Sequence, residues 1–336
     1  MPSARQATLI VWFAGLAVLI GLTVWSGADL VGQAIISAGA ATLLVVLART
    51  VAVAAAGAGW WLLFPRDVRP PLLICGVLRF VREAANALLP LAQIGGDFVG
   101  ARCLALRGVR GTVAAASVIV DVLMQATSQL VFAIVGLVLL AAMGRNELLV
   151  WPIAIGIALA IPALAGFFLI QGERGQRLVK KLLRLVAGDR EWLAFGAIDD
   201  LFARLALFYA YRRGLIVSWV WHLGGWFVGA TEVWVVFYFM GYPVSFEQAV
   251  IIESLMHAVR GAAFAIPGAL GAQEGGLIVL CAIFAVPPEA ALALSLVKRL
   301  PDLVIGVPGL IAWQAMEGWH FQNARRPVDA KQNERA

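Results

Sequence analysis

Charge is scarce in this chain. Asp, Glu, Lys and Arg are 14% of its 336 residues, whereas hydrophobic residues are 62%. Soluble domains run at about 25% and 45–50%. Mean hydropathy is +0.88, which excludes an ordinary water-soluble domain. Histidine is scarce too, with only His222, His257 and His320. No H-E-x-x-H, Walker or G-x-S-x-G pattern occurs, so no metal or nucleotide cofactor is expected and none of these hydrolase chemistries. The three cysteines (Cys75, Cys103, Cys281) lie in apolar surroundings without CxxC spacing. They imply neither a disulfide framework nor a zinc site, and read as small buried apolar residues. The net charge of +6 needs no nucleic-acid partner, because Lys and Arg accumulate in the cytoplasmic loops of membrane proteins.

Several apolar runs reach the roughly 20 residues that cross a bilayer. Backbone facing lipid must satisfy its own hydrogen bonds, so helices are the default. The fold expected is an all-α polytopic membrane protein of about six full spans plus two broken-helix hairpins. Residues 1–318 form one integral membrane domain and 319–336 a cytoplasmic tail. Residues 7–25 read as a retained first span, since no A-x-A cleavage site follows. The second span lies within 35–64, carries Arg49 and ends in Trp60, Trp61 and Phe64, an interfacial aromatic belt. Further spans are 112–142 with Asp121, 149–170, 214–240 with His222 and Glu232, and 289–316 with Lys298, Arg299 and Asp302. Residues 171–213 carry nine Lys/Arg against five Asp/Glu and mark the cytoplasmic side. Within them 174–186 is a basic amphipathic helix for an anionic leaflet, and 192–211 a second in-plane helix.

One stretch occurs twice. A shift of 177 positions carries Pro90 onto Pro267, Asp97 onto Glu274 and Val109 onto Val286. Each copy has a charged apolar approach, a proline, a glycine break, an acid and a short apolar run. Pro90 and Pro267 remove a backbone donor and clash with the preceding turn; Gly95, Gly96, Gly268 and Gly271 let the chain unwind. In the first copy Arg79, Arg82, Glu83 and Asn86 share one helical face, as do Glu253, His257 and Arg260 in the second. The repeats are about 35–142 and 214–316. With the N-terminus inside, the first hairpin enters from the cytoplasm and the second from outside. The pair is then inverted, a plan of secondary transporters. Ordinary proline-kinked spans would change the number of crossings.

Ionisable groups at membrane depth are costly and line pathways or pair internally. The candidates for substrate binding or translocation are Asp97, Arg102, Asp121, Glu253, Arg260, Glu274 and Arg299, with His257, Lys298 and Asp302 beside them. The bases can hold a lipid phosphate; the acids can neutralise them or carry protons. Ile94-Gly-Gly-Asp97 differs from the GxGD of intramembrane aspartyl proteases, because Ile94 replaces the first glycine, and no intramembrane Asp precedes Asp97.

Leu89-Pro-Leu-Ala-Gln-Ile-Gly-Gly-Asp-Phe-Val-Gly-Ala-Arg102, Ala115-Ala-Ser-Val-Ile-Val-Asp121 and Ser128-Gln129 resemble the first half of the lysylphosphatidylglycerol-synthase transmembrane region. Pro267-Gly-Ala-Leu-Gly-Ala-Gln-Glu274-Gly and Leu294-Ser-Leu-Val-Lys-Arg299 resemble its second half. The Gly-Gly-Asp form and the length are most similar to hopanoid-biosynthesis-associated membrane proteins in that superfamily. The resemblance implies a flippase-like lipid translocator of the bacterial inner membrane, with a hopanoid or an anionic phospholipid as cargo and both termini cytoplasmic. It places Asp97, Arg102, Asp121, Glu274 and Arg299 in the functional set. A chain ending at Ala336 leaves no room for a synthase domain, so aminoacyl transfer is not expected. The alternative is a non-transporting membrane partner of lipid-modifying, for example hopanoid-biosynthesis, enzymes. The family motif often has Gly-Gly after the second proline, where this chain has Gly268-Ala269.

Overall fold

The computed structural model describes Val24 and residues 28–89, 94–144, 147–186, 191–263 and 266–324. The expected first span lies almost entirely outside them, as do Pro90, Arg145 and the tail after Ala324. Every regular element among the described residues is helical. In chain order the α-helices are α1 (Ala28–Ala38), α2 (Ala41–Leu63), α3 (Leu72–Leu88), α4 (Gly95–Leu106), α5 (Gly111–Ala142), α6 (Glu147–Leu169), α7 (Glu173–Val186), α8 (Glu191–Ala210), α9 (Arg212–Phe239), α10 (Phe246–Ala262), α11 (Ala272–Ala282) and α12 (Pro288–Ala324). A 3-10 turn, Pro267–Ala269, precedes α11.

The described helices can be compared across the 177-residue shift. Helix starts recur with the 177-residue shift, Gly95 against Ala272 and Gly111 against Pro288. Each repeat runs a 17-residue helix (α3, α10), a break, a short helix (α4, α11) and a long helix (α5, α12). The packing is reciprocal. The first helix of each repeat packs against the long helix of the other, α3 on α12 and α10 on α5. Each short helix packs on its own long helix.

Local chemistry sets the breaks. Leu89 is extended (φ −102°, ψ 146°), because the residue before a proline is pushed out of the α region. In the second repeat Ser245 opens α10: its hydroxyl accepts from the Gln248 amide, and the Gln248 side chain accepts from the Ser245 amide. That reciprocal cap satisfies two donors a helix start leaves open. The second break turns through Gly268 (φ 60°), Ala269 (φ 48°) and Gly271 (φ 80°). Ala269 occupies a left-handed conformation that carries no steric cost for glycine alone.

Two helices are long and apolar enough to cross a bilayer by themselves among the described residues, α2 and α5. The pair α6–α7, bent by 78°, brings the number to three if it is one span. The expected count of about six is not reached on this criterion. The physical reason lies in α9 and α12. They have 28 and 37 residues, ample length at 1.5 Å per residue, but carry His222, Glu232, Lys298, Arg299 and Asp302 inward. Two apolar cores flank these polar groups. One joins α10, α11 and the start of α12; the other joins Trp60 and Phe64 to α3, α4 and the start of α5.

Candidate functional site

The charged face expected on α3 is buried, and its partners come from α4, α5 and α9. Arg82 is 1% exposed. It donates to Asp97 through Nε (3.0 Å) and Nη2 (2.6 Å), and to Asp121 through Nη1 (2.7 Å). Its guanidinium also lies 4.8 Å from the Trp60 ring centroid. Asp121 accepts from Gln125 at 3.0 Å, lies 3.4 Å from Arg79 and has His222 Nε2 at 2.9 Å from its other oxygen. Arg79 donates to Gln125 at 2.8 Å. Asn86 accepts from the Gly96 amide at 2.7 Å, filling one of the open donors at the start of α4. A Cβ on Gly96 would fall 2.1 Å from the Arg82 carbonyl oxygen, and one on Gly100 2.5 Å from Arg82 Cγ. The two glycines therefore let α4 lie against α3 and bring Asp97 within reach of Arg82.

The second repeat has the equivalent acid at the equivalent place, with counter-ions from the other direction. Glu274 is the third residue of α11, as Asp97 is of α4. Its side chain accepts from the Gly271 amide at 2.7 Å, from Ser295 at 2.8 Å and from Arg299 Nη2 at 2.7 Å. Arg299 also donates to the Gly268 carbonyl at 3.1 Å, tying α12 to the break. The 177 shift carries Asp121 onto Lys298, which inverts the charge. In the first repeat an acid on the long helix accepts from an arginine on the first helix. In the second, Lys298 donates to both oxygens of Glu253 at 2.7 Å. Lys298 also reaches Glu232 at 3.2 Å, and Arg49 holds Glu232 bidentately at 3.0 and 2.9 Å. His257 lies 3.3 Å from Glu253.

A polar cavity of about 270 Å³ opens onto both networks. Its walls include Arg49 of α2, Arg79, Glu83 and Asn86 of α3, Gln125 and Gln129 of α5, and His222 and Glu232 of α9. Glu253, His257 and Arg260 of α10, Gly268 and Asp302 complete it. Arg49, Arg79, Arg82, Arg260, Lys298 and Arg299 stand against Glu83, Asp97, Asp121, Glu232, Glu253, Glu274 and Asp302, six cations to seven carboxylates. Burial of so many charges is tolerable because most are held by partners within hydrogen-bond reach, while Asp302 has Arg49 at 3.9 Å. Arg260 differs: among the described residues it makes no hydrogen bond or ion pair, and it lines the cavity. The described residues place no group of three His, Cys, Asp or Glu where a metal ion could be held.

Of the residues named from sequence, Glu253, Arg260, His257 and Asp302 line the cavity. Asp97, Asp121, Glu274, Lys298 and Arg299 stand behind it in the pairs just described. Arg102 lies apart, on the surface, paired with Glu317 at 2.5 Å with its side chain 57% exposed. Gly268 lines the cavity; Gly95, Gly96 and Gly271 lie at the breaks that set α4 and α11, and of Pro90 nothing is described. Sequence reasoning gives no site role to Arg49, Arg79, Arg82, Gln125, Gln129, His222 or Glu232. The signal that could have found them is an ionisable or amide side chain inside an apolar run. Residues 12–309 match the family described as Lysylphosphatidylglycerol synthase TM region. No curated protein and no solved structure matches the chain.

Proposed function

The chain belongs to the Lysylphosphatidylglycerol synthase TM region family, and from that premise we propose that it is a flippase-like lipid translocator of the bacterial inner membrane. The observation that carries the reading is the cavity: about 270 Å³ of charged space between two repeats of an apolar helical protein, with Arg260 on its wall making no hydrogen bond or ion pair among the described residues. Its volume is just below the range of about 300–1,000 Å³ for drug-sized ligands, so it admits a headgroup while the tails stay in the bilayer. The repeats are inverted, their broken helices meet near the midplane, and about six full spans surround them, with both termini cytoplasmic. Discontinuous helices at a repeat interface are where secondary transporters bind. Arg260 holds the headgroup anion. The paired acids and bases around it exchange partners as the headgroup passes, so no charge is left bare in the bilayer.

The cargo is a hopanoid or an anionic phospholipid, and the test separates them. Labelled phosphatidylglycerol and a labelled hopanoid are reconstituted in proteoliposomes, with and without a proton gradient, and leaflet exchange is measured. Exchange of either above empty liposomes, lost in Arg260→Gln and Asp97→Asn, is expected. Monodisperse protein that moves neither lipid overturns the reading. Co-purification of a lipid-modifying enzyme without leaflet exchange would instead support a non-transporting partner, for which the basic segment 171–213 is the docking element.

A further inference from the structure

A second crevice lies away from the charged cavity, and the transport reading does not enter its argument. It holds about 560 Å³, between α5, α6 and the junction of α8 with α9, a volume typical of small-ligand sites. Leu123 and Leu130 of α5 and Ile161 and Phe168 of α6 line its walls. The single polar side chain that α5 contributes to the lining, the Thr127 hydroxyl, is spent on its own helix, donating to the Leu123 carbonyl at 2.7 Å. Seven residues separate Leu123 from Leu130 and Ile161 from Phe168, so at 1.5 Å per residue the apolar wall is about 10 Å deep.

One end of the crevice is different. Phe168 stacks edge-on with Tyr209 at 5.4 Å, the Tyr209 hydroxyl donates to Gln171, and Arg212 joins the lining. Arg212 and its neighbour Arg213 are exposed, and neither makes a hydrogen bond or ion pair among the described residues. This end also coincides with a corner in the backbone. α6 and α7 meet at 78° across Ile170–Gly172, and the corner is tight, since a Cβ on Gly175 would fall 1.7 Å from the Ile170 carbonyl oxygen. A helix that turns so sharply from an apolar segment into the basic amphipathic α7, with Arg174, Arg177, Lys180 and Lys181, leaves the hydrocarbon and runs along the surface. Arg212 thus stands at headgroup level while the crevice runs into the hydrocarbon.

We propose that this crevice binds an anionic phospholipid of the surrounding bilayer, one acyl chain between α5 and α6 and the phosphate on Arg212. The charge complementarity is local: a guanidinium at the polar end with no hydrogen bond or ion pair among the described residues, no acid in the lining, and a basic helix beside it. An acyl chain fits a dry slot whose two hydroxyls, those of Thr127 and Tyr209, are already satisfied.

The test uses the full chain in detergent, with dioleoyl phosphatidylglycerol and dioleoyl phosphatidylcholine titrated separately and retention read by native mass spectrometry. The wild-type protein retains phosphatidylglycerol more tightly than phosphatidylcholine. Arg212→Gln removes one charge-assisted contact and lowers phosphatidylglycerol affinity about tenfold, erasing the preference. Ala165→Trp places an indole from the lipid-exposed α6 into the slot and weakens both lipids. The same titrations are repeated in the Arg260→Gln background, so that phosphatidylglycerol held in the separate charged cavity is removed from the readout. Equal retention of the two lipids by wild type overturns the anionic assignment. Unchanged retention in Arg212→Gln and Ala165→Trp, or loss confined to Arg260→Gln, overturns the site.

Discussion

Replacing Arg82 by methionine is the most informative single perturbation of the charged network. Methionine keeps the apolar stem that packs on Gly100, where a Cβ would meet Arg82 Cγ at 2.5 Å, and removes only the guanidinium. Three contacts go: two with Asp97 at 2.6 and 3.0 Å and one with Asp121 at 2.7 Å. Arg82 and Asp121 are 1% and 0% exposed in their side chains, so the lost partner leaves a carboxylate in a dry site. Breaking such a pair from one side costs about 3–5 kcal/mol, and loss of the contact with the Trp60 face adds about 0.5–2 kcal/mol. Asp121 keeps Arg79, Gln125 and His222, which holds the cost to the lower part of that range. At about 2 °C per kcal/mol for a large chain, Arg82→Met should melt roughly 6–10 °C below wild type in detergent. Adding Asp121→Asn removes the stranded charge, so the double variant should be less destabilised than the two singles summed, by about 1 kcal/mol or more of coupling. A melting temperature for Arg82→Met within 2 °C of wild type, or strict additivity, would refute the view that these charges are dry and mutually dependent.

Three further outcomes are expected. Ala269→Gly relieves the positive φ of 48°; the relief of about 1–2 kcal/mol exceeds glycine's entropy cost of about 0.5–1, and a thermal melt should move up slightly. Arg102→Gln breaks an exposed, solvent-screened pair with Glu317, so a thermal melt should stay at the wild-type value and leaflet exchange at the wild-type rate. The Thr112 hydroxyl donates to Asp200 of α8 and, with Arg204, holds that carboxyl below its usual range. A depressed carboxylate stabilises the fold above its ordinary pKa and loses that contribution as pH falls through the lowered one. Protease protection of α8 should therefore weaken on acidification below the ordinary carboxylate range, and Thr112→Val should remove that dependence.

Where helices start was legible because it is written in backbone chemistry. Proline and glycine dictate where a helix stops regardless of what packs on it, so the 177 shift located both breaks and the helix starts Gly95/Ala272 and Gly111/Pro288 follow it. The polar face of α3 was legible from spacing alone. The pairing was not. Asp97 takes its arginine from the preceding helix and Glu274 from the following one, a difference invisible in two acids with nearly identical surroundings. Arg102 carries the charge the family resemblance points to, yet its place on the outer face of α4 sends it to Glu317.

Composition and pattern by themselves determined an apolar helical protein, the positions where its helices break, and which side chains are too polar to meet lipid. Those properties depend on local sterics and on transfer from water, both of which act residue by residue. Only the tertiary structure decided which charges neutralise each other, because Arg49 and Glu232 are 183 positions apart and meet only where α2 packs on α9. It also decided that Arg260 faces the cavity with no hydrogen bond or ion pair among the described residues. A counter-ion is found by distance in space, and in a folded chain distance in space is set by helix packing that no local pattern encodes.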